Sequence, residues 1–147
     1  MSGSEPLTAI LAREHRELDE LFGRFLAAAS AGSLEAATEA IESFDRELRR
    51  HTRLEEERLY PAAPARSLAP PPAEEQDARL FRELRLEHVQ VRELSGMIRR
   101  VLAEKGDLEA ARRLCGNLAR RWDAHTAREE RDAFRGACGA GTSDPPG

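Results

Sequence analysis

The chain has very little of several things that would settle its class early. Only two of its 147 residues are cysteine, Cys115 and Cys138, too few for a disulfide framework or a four-thiolate metal site. Aromatic residues make up 5%, β-branched residues are few, and no run alternates polar with apolar, so strand signals are missing. No apolar run approaches the roughly 18 residues that a bilayer span needs, and the start MSGSEPLTAI lacks the basic-then-apolar plan of a signal peptide. Lysine is almost absent: of 23 basic residues all but Lys105 are arginine, and they alternate with glutamate as solvated helix faces do. A net charge of −4 argues against a nucleic-acid partner. The expected compartment is the cytoplasm.

What remains is punctuation and periodicity, and both are helical. Ser4 with Pro6 opens a first helix that runs to Gly32; Ser33 caps a second that reaches Tyr60, where Pro61 and Pro64 stop it. The stretch PAAPARSLAPPPA, 61–73, holds five prolines and predicts an extended, partly polyproline-like link. A third helix starts near Glu74 and ends at Gly106, and Asp107 caps a fourth that reaches about Arg135. The expected organisation is one all-α domain over 1–135, an antiparallel up-down-up-down four-helix bundle, and a disordered tail over 136–147.

Apolar spacing marks the inward face of each helix. Ala37, Ile41, Phe44 and Leu48 continue at the same steps into His51 and Glu55; Ala111, Cys115, Leu118 and Trp122 continue into His125 and Glu129. Helix 1 gives Leu7, Leu11, His15, Leu18, Phe22 and Phe25, and helix 3 gives Phe81, Leu84, His88, Val91, Leu94, Ile98 and Val101. Steps of three and four stay on one stripe. All four histidines therefore fall on core stripes, which chance would produce about 3% of the time if a stripe covers three positions in seven.

Their depth agrees. His15 and His51 are centred on the Gly32–Ser33 turn, His88 and His125 on the Gly106–Asp107 turn, each about 18 residues or roughly 27 Å of helix from it. A weak internal repeat pairs Glu14–His15 with Glu87–His88 and HTRLEEERLY with HTAREERDAF. Two similar hairpins about a pseudo-twofold axis would bring four imidazoles and two carboxylates to one layer. Left empty, that layer would cost several kcal/mol per unpaired buried carboxylate. Metal is the economical explanation, with Fe, Zn, Cu or Ni open to imidazole. Six ligands exceed the four of a tetrahedral zinc site and suit two metals, with His15, His51, His88 and His125 terminal, Glu55 and Glu129 bridging, and an oxo or hydroxo bridge filling a further position.

A histidine on helix 1, HxxxE on helix 2, a histidine on helix 3 and HxxxE on helix 4 resemble the hemerythrin-like (HHE) family over roughly residues 7–135. The segments that carry the resemblance are LAREHRELDELF, HTRLEEERLYP, LRLEHVQVREL and HTAREERDAF. It implies two non-haem irons rather than zinc, bridged by Glu55 and Glu129. The implied function is binding of dioxygen or a related small oxidant for sensing, storage or delivery. Alternatives are an enzyme removing peroxide or nitric oxide, and an iron-responsive homeostasis protein with a partner that stays unidentified. The chain departs from the oxygen carriers at Leu84 and Arg92, the positions a turn from His88, where they typically hold a further histidine. Glu14, Glu56, Glu87 and Glu130 read as solvent-facing or hydrogen-bonding groups ahead of a further ligand, Tyr60 as packing at a helix end ahead of a redox or hydrogen-bonding role, Trp122 as a wall of the pocket, and Cys115 as a small buried hydrophobe.

Overall fold

The computed structural model describes residues 5–60 and 71–134, with the main chain alone for 71–77. Ser4, the proline-rich stretch 61–70, Cys138 and the boundary between the domain and the tail 136–147 lie outside the described residues. Four helices follow in order: α1 Leu7–Ser30, α2 Leu34–Leu54, α3 Pro71–Lys105 and α4 Leu108–Arg128. Both even helices continue past these limits as π-helical turns, Glu55–Leu59 after α2 and Glu129–Phe134 after α4.

The turns form where the punctuation places them. Ser33 Oγ accepts the Ala36 N–H at 3.2 Å and Asp107 Oδ1 accepts that of Ala110 at 3.0 Å, each occupying a donor that a helix start leaves open. Gly32 (φ 78°) and Gly106 (φ 59°) supply the left-handed residue that ends the preceding helix. One boundary differs from the sequence reading. Helix α3 begins at Pro71, not Glu74, so residues 71–73 are helical rather than extended. Proline in a first turn gives up an N–H that would have no helical partner anyway.

Each helix packs against its two neighbours around the ring α1, α2, α3, α4, giving the expected four-helix bundle. The predicted stripes are buried on α2 and α4, and on α1 from Leu11 onward, Leu7 being half-buried. On α3 Leu94 and Val101 are half-buried, whereas Ser95 and Leu102 are buried. Ser95 lies inward because it meets a charge: its Oγ donates to buried Asp45 Oδ1 at 2.8 Å, and Asp45 Oδ2 accepts from Arg49 (2.9 Å) and Arg99 (3.2 Å). This network fastens α2 to α3.

The apolar core is in two parts. A long cluster runs from Leu18, Phe22 and Phe25 to Cys115, Leu118 and Trp122. A shorter one holds Leu11, Leu59, Tyr60, Phe81, Leu84, Ala133 and Phe134. The four histidines lie in the layer between them, one helical turn from Leu11 and from Leu18 on α1. Among the described residues no helix is long and apolar enough to cross a membrane.

Replacing Asp45 with alanine leaves the fully buried Ser95 hydroxyl without its acceptor. That should lower unfolding stability by about 2 kcal/mol in equilibrium urea denaturation at fixed metal content.

Candidate metal centre

All four imidazoles are buried, as are Glu55 and Glu129. Their donor atoms fall into two groups that share both carboxylates: His15, His51, Glu55 and Glu129, and Glu55, His88, His125 and Glu129. Within each group the ligand atoms lie within 4.8 Å of one another. The carboxylates divide their oxygens between the groups. Glu55 Oε2 is 2.8 Å from His51 Nε2 and 3.2 Å from His15 Nε2, while its Oε1 is 3.0 Å from His88 Nε2. Glu129 Oε1 is 3.1 Å from His15 Nε2, while its Oε2 is 3.6 Å from His125 Nε2 and 3.9 Å from His88 Nε2. Each carboxylate thus turns one oxygen to each histidine pair, as a bridge between two ions must.

Whether this layer suits metal can be tested on its own hydrogen bonding. Buried polar atoms are nearly always partnered. Here His51 Nε2, His125 Nε2, Glu55 Oε1 and Glu129 Oε1 are buried with no hydrogen-bond partner. His51 Nε2 is close to Glu55 Oε2 but not in hydrogen-bonding alignment, so their lone pairs converge on shared space instead of on each other. Two imidazole nitrogens and two carboxylate oxygens left over in this way fit a pair of cations.

The electrostatics point the same way. Burial lowers the pKa of His15, but the adjoining Glu129 and Glu55 carboxylates outweigh it and hold the imidazole up to about 10. Burial likewise opposes, and the Glu55 and Glu56 carboxylates overcome it, in raising His88 to about 9. His125, where burial prevails over Glu87, shifts down. Glu129 is pushed up by burial and by the neighbouring Glu55 charge. Glu55 is driven the other way: burial works against ionisation, but the Glu129 hydrogen bond and the His51 charge overcome it. Two adjoining buried carboxylates cannot both ionise without added positive charge, which protons provide here and cations would provide instead.

Outside this layer stands a closed ring of carboxylates. His51 Nδ1 meets Glu14 at 2.7 Å, His88 Nδ1 meets Glu56 at 2.6 Å, His125 Nδ1 meets Glu87 at 2.7 Å and His15 Nδ1 meets Glu130 at 2.7 Å. Every helix takes its partner from the preceding one around the bundle. The ring assigns the imidazole proton to Nδ1, so that Nε2 turns its lone pair inward. Each of these glutamates precedes or follows a candidate ligand directly in sequence. Helical geometry puts neighbouring residues about 100° apart, so the ligand faces the centre and its neighbour faces the next helix.

The sequence reading put packing ahead of hydrogen bonding for Tyr60, and the structure gives it both. Its hydroxyl donates to Glu129 Oε2 at 2.6 Å and lies 3.1 Å from His88 Nε2, and the ring stacks on His88 at 5.6 Å. The missing signal was the π-helical turn. It starts at Glu55 and inserts one residue into the helical register, which swings Tyr60 over the layer. The equivalent turn after α4 brings Phe134 onto His15, stacked at 5.7 Å. Trp122 is indeed a wall: it stacks on His125 and meets His15 and His51 edge-on. Cys115 is fully buried and burial pushes its thiol up to about 12, so it behaves as a hydrophobe.

A family model described as Hemerythrin HHE cation binding domain matches residues 7–137. No curated protein and no solved structure matches the chain. The two buried His/Glu clusters are consistent with a non-haem diiron centre of that kind.

Tyr60→Phe removes the hydroxyl against Glu129 while keeping the ring. Loss of such an outer hydrogen bond typically costs 10–100-fold in metal affinity; competition against a graded chelator should show a loss in that range with the helix content unchanged.

Proposed function

The chain belongs to the hemerythrin HHE cation-binding domain family, and on that premise we propose that it is a non-haem diiron protein. It would bind dioxygen or a related small oxidant, for sensing, storage or delivery. His15 and His51 would hold one iron, His88 and His125 the other, and Glu55 and Glu129 would bridge them. The observation that supports this most directly is the division of each carboxylate's two oxygens between the two histidine pairs. Bound iron supplies electrons and open coordination positions for the small ligand.

The chain's own side chains set the terms of that chemistry. The Nδ1 carboxylate ring fixes each imidazole's orientation and strengthens it as a donor. Leu11, Leu59, Leu84 and Phe134 close one end of the layer and keep bulk water from it. Tyr60 holds a proton on its buried hydroxyl at the His88 side; burial and the Glu129 charge push its pKa far up, so that proton stays in place. The His15 side has only the Phe134 ring there. A hydrogen-bond donor on one side alone favours a ligand that becomes anionic, and it supports a second reading in which the same centre removes peroxide.

Purified protein should contain close to two irons per chain. It should show near-ultraviolet charge-transfer absorption that bleaches on reduction and returns in air. Stoichiometric zinc without iron would overturn the reading. Sustained dioxygen evolution from added hydrogen peroxide would select the enzyme over the carrier or sensor. Metal removal should also destabilise the fold. With free metal a hundredfold above Kd the linkage is about 2.7 kcal/mol, and at about 2–4 °C per kcal/mol for this size the melting temperature should fall by roughly 5–10 °C.

A further inference from the structure

The carboxylate ring is not uniform. Three of its members are held from outside by arginine: Glu14 by Arg50 at 3.1 Å, Glu56 by Arg92 at 3.5 Å and Glu87 by Arg128 at 2.7 Å. Their side chains are 9%, 28% and 29% exposed. Glu130 has no arginine among the described residues and is 45% exposed. It closes the seam between α1 and α4. Among the described residues no arginine bridge crosses that seam, whereas each of the other three seams carries at least one.

The internal repeat shows how the difference arises. His15–Glu130 is the pseudo-twofold counterpart of His88–Glu56. Arg92, four residues after His88, clamps Glu56 and also donates to Thr52 Oγ1 at 2.9 Å. The position four residues after His15 is Asp19. A clamp on one seam is therefore replaced by a like charge on the other. Asp19 lies at the surface; what burial it has and then the charge of Asp123 push its carboxyl up, against the nearby Trp122 indole N–H and the His15 charge, which pull it down. Asp123 is exposed on α4 seven residues before Glu130, on the same face. The outer edge of this seam thus carries negative side chains and, among the described residues, no arginine bridge, and directly behind it His15 Nε2 stands 3.1–3.2 Å from both Glu55 and Glu129.

Resting on the diiron reading above, we propose that the α1–α4 seam is the route by which divalent cations reach and leave the centre. Glu130 is the group that swings away from His15 Nδ1 to open it, and Asp19 and Asp123 draw the cation to the opening. The other three seams would each require an arginine bridge to break along with the histidine–carboxylate pair. Here a single half-exposed side chain moves. Negative charge at the mouth raises the local cation concentration and with it the on-rate, in a way that salt screens.

The test installs the missing clamp. Trp122 is the only tryptophan and touches His15, His51 and His125, so quenching of its fluorescence reports Co2+ arriving in or leaving the layer. The full chain, stripped with chelator and mixed with Co2+ alone, gives an uptake rate; excess chelator added to the loaded protein gives a release rate. In Asp19→Arg, an exposed helical position, both rates should fall about tenfold while two ions still bind. Asp19→Asn, nearly isosteric, should slow uptake about threefold at low salt, with the difference vanishing at high salt. Two bound ions with an Asp19→Arg release rate within twofold of the parent protein would overturn the route, as would Asp19→Asn uptake equal to the parent's at low salt. A parent protein that binds no pair of ions would sink the diiron reading itself, and this inference with it.

Discussion

Everything in this protein is arranged around the cost of a polar layer in the middle of an apolar bundle. Four imidazoles and two carboxylates share one level, between an apolar cluster that ends at Leu18 and another that begins at Leu11. Burying unpaired ionisable groups costs several kcal/mol apiece even after relaxation. The layer therefore depends on positive charge in its centre and on hydrogen bonds at its edge. The edge is provided by the chain itself, through Glu14, Glu56, Glu87 and Glu130. The centre is left with four unpartnered nitrogen and oxygen atoms, which fits the layer to a pair of cations better than to a closed polar core.

Pseudo-symmetry explains how so small a chain builds two adjacent sites. Each hairpin contributes one histidine from its first helix and an HxxxE from its second. The carboxylate falls at the start of a π-helical turn in both halves. Where the two halves diverge beside the centre, one side changes and the other does not. Tyr60 answers to Phe134, so a hydroxyl guards the His88 side and a plain ring the His15 side. Arg92 answers to Asp19, so one seam carries an arginine clamp and the other a carboxylate. Two nearly equal groups of candidate ligands are in this way given unequal surroundings.

The bundle, its turns and the six inward donors were legible in the residues themselves. Helical period, cap residues and equal distance from two glycine turns are local or one-dimensional quantities, and a bundle with short turns converts them into depth with little freedom. Ser95 was harder to see, because its inward position depends on Asp45 fifty residues earlier in the chain. The proline at 71 misled for a simpler reason: a first helical turn and an extended link accept proline equally well.

The residues alone determined which side chains face inward and how far along each helix they stand, since both follow from spacing on a regular helix. Only the tertiary structure decided which nitrogen of each histidine turns inward, which glutamate each helix borrows from its neighbour, and that Tyr60 reaches Glu129. Those relations run between helices, through hydrogen bonds of 2.6–2.7 Å that no single segment contains. They also depend on a register shift at Glu55 that no residue type announces, so they exist only once the four helices are packed.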